Sequence, residues 1–259
     1  MTKLANNLFF VHIPKTAGTA IEHSFGIGVS SVEPNNRLHR WDSLFPKLKR
    51  LPGRLGFQSS YCSGNYPRDG LHGWLSLSVC AQHLTLAETF WLGLLASKDL
   101  SSYTFFSVVR HPLDRFISSW RSHHRYVKYP DINLYLNYVL GCRSDLLGHD
   151  DLSHTRRMAD YLSTESLPSG ISLRILRFEN LDREWLKLGG DLISAGVFSE
   201  GYSWPTLAKK GVSPNKYSTV PFSDASLRRI EEFYRLDGEQ YGYDMSFNIL
   251  REMASSSGF

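Results

Sequence analysis

Apolar residues along this chain fall into two kinds of stretch. Short continuous runs at Leu8–Ile13, Leu75–Cys80, Tyr103–Val109 and Ile171–Phe178 read as strands. The run Tyr103–Val109 is apolar on both faces, as in a sheet covered on each side. Elsewhere the apolar positions recur at helical spacing. Leu84, Ala87, Trp91, Leu94 and Leu95 do so within 84–97, and Leu113, Phe116, Ile117 and Trp120 do so behind Pro112, a residue tolerated in a first turn. Thr19–Phe25, Asp131–Leu140, Thr155–Leu162, Glu179–Leu188, Leu192–Ala195 and Asp224–Tyr234 are further predicted helices, the last capped by Ser223 or Asp224. Stretches 26–74 and 199–222 are rich in Gly, Pro and Ser and predict loops. Strands alternating with helices predict an α/β fold, a central and mainly parallel sheet flanked by helices in one domain spanning 1–259.

The first strand ends at a distinctive junction, His12-Ile-Pro-Lys-Thr-Ala-Gly-Thr19. A strand that breaks at Pro14 and re-enters a helix near Thr19 exposes backbone N–H groups and the positive end of a helix dipole at one point. That suits a phosphate or a sulfate. Lys15 adds a full charge, and the Thr16 and Thr19 hydroxyls add donors. Taken alone, the same pattern also describes a plain strand-to-helix turn with a solvated lysine.

A second segment, Ser107-Val-Val-Arg-His-Pro-Leu-Asp-Arg-Phe-Ile-Ser-Ser-Trp120, places Arg110 where a buried strand ends, the edge at which open α/β sheets bind ligands. At about 100° per residue, Ser118 lies off the apolar face centred on Leu113 and Trp120, so Arg110 and Ser118 are able to converge on one anion. A guanidinium fork matches a phosphate well. By itself, Arg110 would more often pair with Asp114 or another acid.

Together these two segments resemble the sulfotransferases that use 3′-phosphoadenosine 5′-phosphosulfate (PAPS), most closely the carbohydrate branch with its heparan- and chondroitin-type enzymes. The resemblance implies a P-loop-like nucleotide-binding fold. It implies that Pro14, Lys15, Thr16, Ala17, Gly18 and Thr19 wrap the donor's 5′-phosphosulfate, and that Arg110 and Ser118 hold its 3′-phosphate. Arg177-Phe-Glu-Asn-Leu181 and Tyr234–Asp244 resemble later family segments more weakly. The long loop before the last helix, with Lys209, Lys210 and Lys216, resembles one that lies over the donor, and Lys216 is the basic residue taken as a donor contact.

An attacking alcohol must lose its proton, and histidine is the usual acceptor near neutral pH. His83 falls between the 75–80 strand and the 84–97 helix, at the same predicted sheet edge as Lys15 and Arg110, and the resemblance expects its base there. His12, His72, His111 and His154 are weaker candidates. Lys15 has a second role, stabilising charge on the bridging oxygen as the S–O bond breaks. These readings make the chain a PAPS-dependent enzyme (EC 2.8.2 type) that leaves the bisphosphate PAP and needs no metal. Its acceptor is a small molecule or a glycan.

The competing reading is a P-loop nucleotide hydrolase or small-molecule kinase. A Walker A loop needs Gly-x-x-x-x-Gly-Lys-Ser/Thr, whereas Lys15 precedes the loop's glycine, Gly18. Such an enzyme also wants a carboxylate for magnesium, and no predicted strand ends in a clear one.

Composition narrows the partners further. There are 29 basic against 25 acidic residues, a net charge of +4 without a long basic run, which fits an anionic ligand but not a nucleic-acid face. The three cysteines, Cys62, Cys80 and Cys142, have neither zinc nor disulfide-framework spacing. Without a visible leader or a membrane-length apolar run, the sequence predicts no membrane span and a cytoplasmic location.

Overall fold

The computed structural model describes residues 2–5, 7–26, 83–91, 102–122, 125–141, 149–165, 167–208 and 221–256. The expected strand 75–80, most of the 26–74 stretch, the three cysteines, His72, Lys209, Lys210 and Lys216 lie outside them. The chain divides into two compact units, one of residues 1–109 and 161–210, the other of 110–160 and 211–259.

The first unit is built on a four-stranded sheet ordered β1 (Thr2–Ala5), β2 (Leu8–Val11), β3 (Thr104–Val109), β4 (Ser172–Arg177). β2, β3 and β4 run parallel, in the register Val11↔Ser107 and Val109↔Arg177, while β1 pairs antiparallel with β2. The expected mainly parallel sheet is therefore present. Alternate residues of the central strands bury both faces: Leu8, Phe10, Phe106 and Val108 on one, Phe9 and Phe105 on the other.

The first of these faces is covered by α8 (Leu181–Ser194), which lays Leu181, Trp185, Leu188 and Leu192 against it. Sequence periodicity divided this region into helices 179–188 and 192–195. Instead a short 3₁₀ turn, Phe178–Asn180, leads into one helix that runs through Gly189 and Gly190. Gly189 is there because the Trp204 ring lies on it: a Cβ would come within 2.4 Å of that ring. The Trp185 indole N–H donates to Pro205 O at 2.8 Å, and Ala208 N–H donates to Ser24 Oγ at 2.8 Å. Residues 202–208 are thus an irregular strap tied to this unit, as the loop prediction for 199–222 expected of its first part.

Two further short helices belong to this unit. α1 is Gly18–Ser24 and α2 is Leu86–Trp91. Strand β2 stops at Val11, two residues earlier than its apolar run, because Ile13 N–H turns back onto Val11 O at 3.1 Å.

The second unit is helical: α3 (Pro112–Trp120), α4 (Arg125–Lys128), α5 (Ile132–Gly141), α6 (His149–Thr155), α9 (Asp224–Tyr241) and α10 (Phe247–Ser256), with α7 (Met158–Leu162) crossing the division. Leu113, Phe116, Ile117 and Trp120 of α3 enter its core with Tyr135, Leu136, Leu227, Ile230 and Tyr234. Helix α9 is capped by the Ser223 side chain, which accepts from Ser226 N–H, and runs past the expected end at 234 because Leu227, Ile230, Tyr234 and Tyr241 keep one buried stripe.

The single helix expected over 155–162 is broken between Thr155 and Met158. Arg115, 1% exposed, donates to His154 O at 3.2 Å and Arg156 O at 2.6 Å. Asp237, fully buried, accepts from Met158 N–H at 3.0 Å and Ala159 N–H at 2.8 Å. The first contacts take up carbonyls at the end of α6, and the second supply the N-terminal partners of α7.

Candidate functional site

After β2 the chain forms a tight loop, and the residues that turn it are not glycines. Lys15 has φ 68° and Ala17 φ 75°, both left-handed. A side chain in that region costs roughly 1–2 kcal/mol. Ala17 occupies the N-cap of α1 with no side-chain cap bond, so the first turn is completed by main chain alone. Lys15 and Ala17 are half-buried, Thr19 is exposed, and Pro14 and Gly18 are buried. Thr16 is fully buried, and its hydroxyl donates to Ile13 O at 2.8 Å. That proton pins the turn, whereas the sequence reading offered it to an anion.

Gly18 owes its identity to crowding. A Cβ built on it would lie 2.0 Å from His12 Nε2. His12 is turned inward, 5% exposed, and its Nδ1 is 3.1 Å from Glu22 Oε1 in α1, itself 2% exposed. Alternation along β2 left the direction of His12 open, and nothing in the sequence marked Glu22 as its partner.

His83 is brought to the same place. Its Nδ1 is 3.3 Å from His12 O, and its ring meets the His12 ring edge-on at 4.7 Å between centroids. A carbonyl oxygen only accepts, so Nδ1 carries the proton in neutral His83 and the lone pair sits on Nε2. Two residues on, Thr85 and Glu88 form a reciprocal capping box. Thr85 N–H donates to Glu88 Oε2 at 2.8 Å and Glu88 N–H to Thr85 Oγ1 at 3.0 Å. This Thr-x-x-Glu signature was readable in the sequence and fixes the start of α2 directly behind His83.

Of the second segment, Arg110 is the first residue after β3, half-buried, with its main-chain N–H directed at Met158 Sδ at 3.5 Å. Ser118, eight residues on in α3, is also half-buried. His111 places Nε2 3.3 Å from Asp244 O and packs edge-on against Tyr243. His154 is buried beside Ser153. Within the second unit these two histidines are therefore engaged in its framework. Arg115, inside the same motif, is missed by spacing arguments because its work is inward, holding the 154–156 turn.

Among the described residues no group of three or more His, Cys, Asp or Glu side chains is arranged to hold a metal ion, and no helix is long and apolar enough to cross a membrane.

A family model described as "Sulfotransferase family" matches residues 1–165, more than half of the chain. The match takes in Lys15, His83, Arg110 and Ser118. Comparison with curated proteins and with solved structures gave no match.

Proposed function

The chain belongs to the sulfotransferase family, and we propose that it moves a sulfuryl group from PAPS to an acceptor hydroxyl, sugar or small metabolite, leaving PAP. The observation that carries this reading is the contact between His83 Nδ1 and His12 O, which seats a histidine with an Nε2 lone pair at the root of the Lys15 loop.

Cationic side chains and main-chain N–H donors suit the anionic groups of such a ligand. Lys15 and the main-chain N–H groups of Thr16 to Thr19 are the groups proposed to hold the 5′-phosphosulfate. Arg110 and Ser118 are proposed for the 3′-phosphate, with Lys216 as a further basic contact. PAPS supplies an activated sulfur whose leaving group is a phosphate oxygen. His83 Nε2 takes the proton of the attacking hydroxyl as its oxygen bonds to sulfur. Lys15 stabilises the negative charge that gathers on the bridging oxygen as the S–O bond breaks, an interaction that grows in the transition state. A family reaction of the EC 2.8.2 type, without a metal and in the cytoplasm, completes the proposal.

Calorimetry with PAP tests it, in the presence and absence of magnesium. Magnesium-independent binding that weakens in Lys15→Ala and Arg110→Ala supports the reading, and sulfuryl transfer from labelled donor to a panel of hydroxyl acceptors completes it. Magnesium-dependent ATP binding with no affinity for PAP would return the nucleotide hydrolase or kinase. His83→Ala that binds PAP normally and transfers as fast as wild type would remove His83 from the base role.

A further inference from the structure

Beneath the Lys15 loop lies a buried pair of ionisable side chains that the transfer step does not use. We propose that His12 and Glu22 are positioning residues. Their pair clamps the loop in its left-handed form through Gly18, and seats His83 through the His12 carbonyl. The inference rests on reading this site as one for sulfuryl transfer.

His12 follows β2 and Glu22 sits in α1, ten residues on. Their contact, 3.1 Å between Nδ1 and Oε1, ties the strand end to the helix and brackets every residue of the loop between them. With Glu22 ionised, its carboxylate accepts and His12 Nδ1 donates, so the imidazole is fixed in one tautomer and one orientation. The opposite ring nitrogen is thereby pressed toward Gly18, at the spot a Cβ would need. The loop cannot sink further into the unit, and Lys15 and Ala17 keep their positive φ. The same residue's main-chain oxygen receives His83 Nδ1 at 3.3 Å, and the two rings meet edge-on. One residue thus touches both proposed reacting parts, through its ring on the donor side and its carbonyl on the acceptor side.

Packing alone does not call for this chemistry. An apolar pair of matched volume is as stabilising as a buried ion pair, or more so. What the pair adds is direction: only a donor and an acceptor at these positions set the ring's rotation against Gly18.

The test uses Glu22→Gln and Glu22→Leu in the full chain. Glutamine keeps an acceptor for His12 Nδ1 and leucine does not. Three readouts are taken: ring ¹⁵N signals of the histidines, PAP affinity by calorimetry, and the pH profile of turnover at saturating donor. Wild type is expected to show His12 and neutral His83 as Nδ1–H tautomers. Glu22→Gln is expected to hold PAP affinity near wild type. Glu22→Leu should weaken PAP binding about tenfold, the worth of one well-made hydrogen bond to a charged group, and displace the acid limb of the profile that His83 sets. A folded Glu22→Leu with wild-type PAP affinity and an unmoved profile overturns the proposal. So does an Nε2–H tautomer of His12 in wild type, a result that stands even if the leucine variant does not fold. If wild type binds no PAP, the sulfuryl-transfer reading falls. The clamp is then judged on the ring signals: loss of the His12 Nδ1–H state in Glu22→Leu supports it, and its persistence overturns it.

Discussion

The imidazole of His12 lies so close to the α-carbon of Gly18 that a methyl group there would come within 2.0 Å of Nε2. Neither side has room to give, because the ring is held from behind by buried Glu22. Gly18→Ala should therefore cost about 1–3 kcal/mol, the range for forcing a group into a packed site. Because the strain falls on the loop, PAP affinity should drop further than the melting temperature. Denaturant unfolding and calorimetry on the same variant check both. A Gly18→Ala protein of wild-type stability and affinity would show that the ring is not held there.

Ala17, one position earlier, should tolerate the reverse exchange. Its φ of 75° is costly for any residue with a Cβ, and Gly removes that cost. Gly also adds freedom to the unfolded chain, so Ala17→Gly is expected to leave stability within about 1 kcal/mol of wild type. An alanine inside a helix would lose about 1 kcal/mol on the same change. Equilibrium unfolding of Ala17→Gly beside Ala20→Gly, which lies within α1, gives the contrast. Equal losses at both sites would contradict a left-handed Ala17.

This contrast shows what was legible in the chain and what was not. The loop's location and its lysine were plain from a strand broken by Pro14. The reason for its glycine was not, since a glycine in a turn suggests positive φ, whereas here Lys15 and Ala17 carry it and Gly18 yields space. The parallel strands were legible because burial on both faces writes continuous apolar runs. β1 was missed because Thr2-Lys-Leu-Ala5 is four residues long and only its second half is apolar. The break after Thr155 and the unbroken α8 were decided by side chains remote in sequence, Arg115, Asp237 and Trp204. No local periodicity reports those contacts. Arg110, Ser118 and His83 were proposed from their sheet-edge positions together with a family resemblance, while the His12–Glu22 contact needed the fold.

The capping box behind His83 makes a separate prediction. Thr85→Ala removes the acceptor for Glu88 N–H, and loss of such a cap costs about 1 kcal/mol. Since α2 begins only three residues after His83, its fraying should loosen the proposed base and lower turnover while leaving PAP affinity near wild type. Thr85→Ser, which keeps the hydroxyl, should restore turnover. Failure of serine to rescue would assign the loss to the missing methyl group, and hence to packing.

Asp237 supplies the pH dependence. It is fully buried, accepts two main-chain N–H bonds from Met158 and Ala159, and lies in the field of Arg115. Burial raises its carboxyl above the ordinary carboxylate range, outweighing the lowering by Arg115 and the two N–H groups. A carboxyl whose folded pKa is raised binds more protons folded than unfolded. Its contribution to stability is therefore complete below the unfolded value and declines as pH rises toward the folded one. An asparagine at this position cannot titrate, and its amide offers one acceptor oxygen for two donors. Asp237→Asn should thus be less stable than wild type in mild acid by about 1–3 kcal/mol, the cost of a buried group left without its partner, and the gap should narrow as pH rises toward neutrality. Urea unfolding of both proteins across that window measures the gap directly. A gap that widens with pH would mean that Arg115 and the two N–H groups win over burial, and that the folded carboxyl is depressed instead.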